Sequence, residues 1–188
     1  MNFFLEVVII KKYIMNIKNL EFLGKGTQGS VYRIDDKKCI KIFKKKKSYE
    51  DELHSLLMAQ IDPHFPKIYS FGDRYIIREC IDGIQLDKYL SLNVMTKELC
   101  NKILELYKAM KWIGYRRLDC AIFHIFLIPN GDIRLIDTAK AMKKDQVYPS
   151  ILIDGLKKLD QKEIFLRYTA ENDINLYKAW IKYFKEHK

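Results

Sequence analysis

The sequence predicts an α+β protein of two lobes sharing a cleft, β-rich first and helical second. Three observations predict it. Short β-branched or aromatic runs bounded by Gly and Asp turns fill the first third. Apolar residues at Leu99, Ile103, Leu106, Met110 and Ile113 keep helical spacing in the second half. A hydrophobic content of 48%, with 13% aromatics in 188 residues, supplies a real core.

The elements follow in order. "NLEFLG", "SVYRID" and "KCIKIF" read as three strands. A helix follows, with Ser48 as its cap, Asp51 three residues on, and Leu53, Leu56, Leu57 and Ile61 as its apolar stripe. Asp62-Pro63 ends it. "KIYSFG" and "YIIREC" are two further strands, and "IDGI" breaks the pattern. Gly114 stops the Leu99–Ile113 helix. "FLIPNGDIRLI" reads as a hairpin turning at Asn130-Gly131. From Tyr148 the chain is helical, closing with an amphipathic stretch marked by Ile174, Tyr177, Trp180, Ile181 and Phe184.

Composition narrows the function classes. The 34 basic residues against 24 acidic ones give a net charge of +10, which suits polyanions: nucleotide phosphates, nucleic acid or an acidic membrane. Cys39, Cys80, Cys100 and Cys120 are widely spaced without a C-x-x-C, so neither a disulfide framework nor a zinc site is expected, and a reduced, cytoplasmic setting fits. "MNFFLEVVII" is too short to span a bilayer and lacks signal-peptide features. Residues 1–14 read as an N-terminal extension, with Met15 an alternative start. The Lys44–Lys47 run is either a solvated loop or a contact for nucleic acid or an acidic partner.

Gly24, Gly26 and Gly29 form G-x-G-x-x-G, followed by Val31. Such a loop can bring backbone N–H groups to phosphate oxygens, or can be a plain hairpin turn. A strand rather than a helix follows it, which argues against a dinucleotide site. Lys41, twelve residues past Gly29, lies inside the apolar run "CIKIF". Its ammonium needs a partner, and Glu52 on the next helix is the candidate; the alternative is snorkelling from an edge strand.

This order of glycine hairpin, strand lysine, helix glutamate, Asp119 and Asp137 resembles the protein kinase-like superfamily over roughly residues 20–140. The chain is similar to small bacterial serine/threonine kinases and, more distantly, to RIO-type atypical kinases. His124 stands five residues after Asp119, and Asp137 thirteen after His124, the family's spacing for its catalytic Asp, an Asn and the metal-binding Asp. The resemblance implies a minimal bilobal fold: an N-lobe over 18–80 with one helix, a hinge over 81–85 and a shortened helical C-lobe over 86–188. It implies that Lys41, paired to Glu52, holds the α/β-phosphates and that the glycine loop with Val31 covers the nucleotide. Glu79 and Ile81 would offer backbone groups to the adenine edge. Asp119 would accept the hydroxyl proton, and Asp137, with His124 beside it, would carry Mg²⁺ or Mn²⁺.

The departures matter. Arg117 and Leu118 replace the usual His-Arg before Asp119, Ala121 replaces a lysine, Asp-Phe-Gly reads Asp137-Thr138-Ala139, and Ala-Pro-Glu is missing. Only 51 residues follow Asp137, too few for the usual peptide-docking platform. His124 offers nitrogen where the family offers an amide oxygen; it is a ligand for a softer metal, a hydrogen-bond partner of Asp119 or phosphate, or a space-filler. The expected function is ATP-dependent phosphotransfer to serine or threonine of a protein, the chain itself included. A pseudokinase that binds nucleotide or a partner is the alternative, and a small-molecule kinase the third reading.

Overall fold

The computed structural model describes residues 17–186, so the expected 1–14 extension and the Met15 start lie outside the described residues. The chain divides into two compact units. The first holds the described residues up to Glu50 together with Lys67–Cys80, and the second holds Asp51–Pro66 with the chain from Ile81 onward.

The first unit is an antiparallel sheet of five strands: β1 (Glu21–Lys25), β2 (Gly29–Arg33), β3 (Lys38–Phe43), β4 (Ile68–Gly72) and β5 (Tyr75–Glu79), in the order β1-β2-β3-β5-β4. The two innermost pairings set the burial. β3 and β5 are buried at nearly every position, so both read as continuous apolar runs. β4 alternates at the edge, and its Tyr69 and Phe71 are exposed. Ile40, Tyr75 and Ile77 form the core, with Leu20, Tyr32, Ile34 and Ile42 packed on it.

Helix α1 (Lys46–Met58) begins two residues before the expected cap. The Tyr49 N–H already donates to Lys45 O at 3.3 Å, so Ser48 lies within the first turn. The expected apolar stripe is also displaced. Leu57 is 48% and Ile61 70% exposed, whereas Glu52, Ser55, Leu56 and Ala59 are buried. The reason is the hydroxyl of Ser55. It bonds Thr138 O at 2.9 Å and Thr138 Oγ1 at 2.8 Å, which turns the polar side of the helix inward. Tyr115 adds a bond to Ser55 O at 2.8 Å.

In the second unit the "IDGI" break contains structure that the sequence did not suggest. β6 (Ile84–Gln85) pairs with β7 (Ile125–Leu127), which pairs with β8 (Ile133–Leu135), and α2 (Leu86–Leu90) follows β6. The β7–β8 hairpin turns at Asn130-Gly131, where Gly131 has φ +84°, a left-handed value that favours glycine. Helix α3 (Lys97–Ile113) is capped by Thr96, whose Oγ1 accepts the Leu99 N–H at 3.2 Å, and ends at Gly114 with φ +89°. All five residues of its expected stripe are buried. Three helices follow: α4 (Ser150–Lys158), α5 (Lys162–Asn172) and α6 (Ile174–Glu186). Trp180 of α6 is their anchor, 1% exposed, edge-on to Tyr107 at 5.2 Å and stacked on Phe165 at 6.1 Å. Ile174 and Phe184 of the same expected stripe stay exposed. No described helix is long and apolar enough to cross a membrane.

Candidate functional site

The glycine loop is the β1–β2 turn, closed by a bond from Gly26 N–H to Gly29 O at 2.9 Å. Its glycines have different physical reasons. A Cβ on Gly29 would fall 2.0 Å from Ile42 O, so this glycine lets β2 lie against β3. A Cβ on Gly24 or Gly26 would meet nothing within 4 Å, so the chain's own packing does not demand them. Lys44 braces the loop, its Nζ donating to Gly26 O at 3.3 Å and Thr27 O at 3.4 Å. One member of the four-lysine run thus has an internal role, while Lys46 faces solvent beside Glu50 at 3.9 Å.

Lys41 sits mid-strand on β3, between Val31 on β2 and Ile76 on β5. Being 7% exposed, it does not snorkel from an edge. Its Nζ lies over the Phe43 ring at 5.0 Å, an aromatic face that partly replaces lost hydration. Glu52 is 1% exposed on α1, whereas Glu50, on the same helix, is exposed. Glu79 ends β5; its N–H donates to Lys67 O at 2.8 Å and its carbonyl receives the Cys39 thiol at 3.6 Å. Ile81 is half-buried just beyond.

Asp119, the expected proton acceptor, is enclosed. Its side chain has no exposed surface. Oδ1 accepts the N–H of Ile151 at 3.0 Å and of Leu152 at 3.3 Å. Oδ2 accepts Ser150 Oγ at 3.1 Å, and the Arg117 guanidinium stands 3.6 Å away. These are the orphan donors at the start of α4, whose own preceding residue, Pro149, has no capping side chain. Asp119 therefore caps α4 from 32 residues away. Burial pushes its carboxyl above the ordinary value, opposed by those bonds and by Arg117.

His124 and Asp137 do come together. The Ile136 N–H donates to His124 O at 3.0 Å, extending the β7–β8 pairing and setting the two side chains beside each other. His124 Nε2 is 3.9 Å from Asp137 Oδ2, with both side chains part-exposed, at 29% and 24%. Asp137 Oδ1 accepts the Ala139 N–H at 3.1 Å, and Phe123 packs edge-on to the imidazole at 4.4 Å. The pair offers one nitrogen and one carboxylate to a cation. Among the described residues no group of three His, Cys, Asp or Glu side chains forms a complete metal site. The donors fit an ion that takes its other ligands from phosphate and water.

Sequence reasoning missed three participants: Arg117 against Asp119, Ser150 in the same cap, and Thr138 against Ser55. Pro149 before α4 was the available signal, since a helix starting after proline needs its cap from elsewhere.

No protein-family model matches the sequence, and no curated protein matches it. Among solved structures, a mutant form of the PknI kinase domain of Mycobacterium tuberculosis is similar, with a TM-score of 0.50 and 17% identity. The match covers 66% of this chain and 59% of that one. The chain therefore has a protein-kinase-like α+β fold, a β-sheet region followed by a mainly helical one.

Proposed function

We propose that the protein is an ATP-dependent phosphotransferase acting on serine or threonine hydroxyls of a protein, its own chain included. The observation that carries this reading is Lys41: an ammonium 7% exposed at the centre of a kinase-like sheet, on the strand beside a glycine loop. A cation kept there at a desolvation cost fits a polyanionic ligand. A Cβ at Gly24 or Gly26 would meet nothing within 4 Å, so the loop presents an open surface at both glycines.

In this reading Lys41 holds the α/β-phosphates, with Glu52 as its counter-charge. The glycine loop and Val31 cover the nucleotide, and the backbone of Glu79 and Ile81 meets the adenine. Asp137 and His124 hold Mg²⁺ or Mn²⁺, which when bound neutralises phosphate charge. The acceptor oxygen bonds to the γ-phosphorus, the bond to ADP breaks, and the hydroxyl proton passes to a base. Asp119 serves as that base only when its carboxylate leaves α4. Its complete burial favours the second reading, a pseudokinase that binds nucleotide without transferring phosphate. Four free thiols fit the reducing cytoplasm.

Incubation with γ-labelled ATP and Mg²⁺ or Mn²⁺ tests the proposal, with Lys41→Met and Asp119→Asn alongside. Label on the wild type that is lost in Lys41→Met supports phosphotransfer. Its persistence in Asp119→Asn would make Asp119 a cap alone. ATP bound without transfer under either metal would establish the pseudokinase.

A further inference from the structure

The second unit holds a cavity of about 510 Å³ that the proposed phosphotransfer does not use. Its size is within the range of about 300–1,000 Å³ common to small-molecule sites. Three elements bring a lysine to its wall: Lys144 from the loop before α4, Lys157 from the last turn of α4 and Lys162 from the start of α5. Asp154 is the acidic residue among the described lining. The loop is held at this point. Asp145 accepts two bonds from the Arg116 guanidinium, at 2.9 and 2.7 Å, and the Gln146 N–H donates to Arg116 O at 2.9 Å. The backbone of Lys144 is thereby anchored at the cavity.

The lining decides which ligand chemistry fits. Its neutral donors near Asp119 are already engaged. Ser150 Oγ donates to Asp119 Oδ2 at 3.1 Å, and Gln146 Nε2 donates to Tyr148 O at 2.8 Å and to Ser150 Oγ at 3.2 Å. Lys162 has Glu163 at 3.5 Å. Lys144 and Lys157 have no carboxylate within 4 Å among the described residues. Three like charges drawn to one cavity repel one another unless an anion joins them. The other wall is aromatic. Tyr148 is buried and stacked on Tyr183 at 6.1 Å, and Phe184, 40% exposed, packs on Tyr148 at 5.7 Å. An exposed ring and unpaired ammonium groups lining one cavity suit a ligand that joins an aromatic body to a compact dianion.

We propose that this cavity binds an aromatic phosphomonoester. Its phosphate oxygens accept from Lys144 and Lys157, Lys162 adds charge, and its aromatic group lies against Phe184. Lys41 and the glycine loop belong to the first unit, so the site is separate from them and the proposal is independent of phosphotransfer.

The test is calorimetric titration of phenyl phosphate into the whole chain near neutral pH, beside inorganic phosphate and phenol. The expected result is saturable binding of phenyl phosphate, roughly tenfold tighter than that of inorganic phosphate, and no binding of phenol. The double variant Lys144→Gln, Lys157→Gln should bind roughly tenfold more weakly or worse, with the urea midpoint of the wild type. Phe184→Ala should remove most of the preference over inorganic phosphate. Lys41→Met should bind phenyl phosphate as the wild type does. Absence of saturation, or equal affinity in the folded double variant, would overturn the proposal. So would loss of binding in Lys41→Met, which would put the anion on the first unit instead.

Discussion

Asp119 and Asp137 occupy the two acidic positions of one motif, yet their surroundings are opposite. Asp119 is enclosed by Ser150, Ile151, Leu152 and Arg117, and its carboxylate completes a helix. Asp137 keeps a quarter of its side chain exposed, next to an imidazole. The spacing that makes them look alike fixes where the backbone passes. It does not fix which groups each carboxylate meets. The difference makes the Asp119 carboxylate part of the helix packing and leaves Asp137 accessible, and several variants can break that contrast.

The largest expected effect is in Asp119→Ala. Losing the cap and leaving buried N–H groups without an acceptor should cost about 3 kcal/mol, read by urea denaturation. Asp137→Ala should cost about 1 kcal/mol or less. Equal costs would erase the contrast.

The same division runs through the glycine loop, where one residue has a packing role and two have none. Gly29→Ala places a Cβ against Ile42 O and should cost about 2 kcal/mol. Gly26→Ala should leave the urea midpoint nearly unchanged and weaken ATP binding instead. A stable Gly29→Ala protein would show that β2 can move off β3 more freely than the register implies.

Ser55→Ala should cost about 1.5 kcal/mol, because the buried Thr138 hydroxyl loses its partner next to Asp137. Nearly neutral behaviour would mean that α1 is held by its apolar contacts alone.

The smallest effect is in pH. Burial raises the Asp119 carboxyl in the folded protein, so the folded state binds the proton more readily than the unfolded chain. Its contribution is full below the ordinary carboxylate value and is lost as pH rises through the raised one. The stability difference between wild type and Asp119→Asn should therefore drift against the wild type over that window and then level. The opposite drift would mean that Arg117 and the α4 N–H groups outweigh burial.

Much of the fold was legible because local rules and tertiary demand agree. Thr96 and Gly114 bound α3, and its periodic residues are the ones buried. Asn130-Gly131 makes the hairpin, and the apolar runs of β3 and β5 are the sheet's buried strands. Reading failed where a polar contact distant in sequence decides the outcome. Ser55 meeting Thr138 turns α1 so that Leu57 and Ile61 face out, and no helical period can foresee that. In the site, the position of Lys41 within an apolar strand and the closeness of His124 to Asp137 follow from strand and hairpin spacing. The capping role of Asp119 was hidden because its partners lie 31 to 33 residues away, beyond a segment without regular pattern. The β6–α2 stretch escaped because a two-residue strand has no period to read.

The central claim is that Lys41 and the glycine loop bind nucleotide phosphate. Calorimetric titration of ATP with Mg²⁺ or Mn²⁺ into wild type and Lys41→Met tests it most directly, with urea midpoints measured on the same samples. The account predicts saturable binding to the wild type and at least roughly tenfold weaker binding to the variant, the size of one lost charge-assisted contact. It also predicts a variant midpoint no lower than that of the wild type. Equal ATP affinity in two equally folded proteins would contradict it.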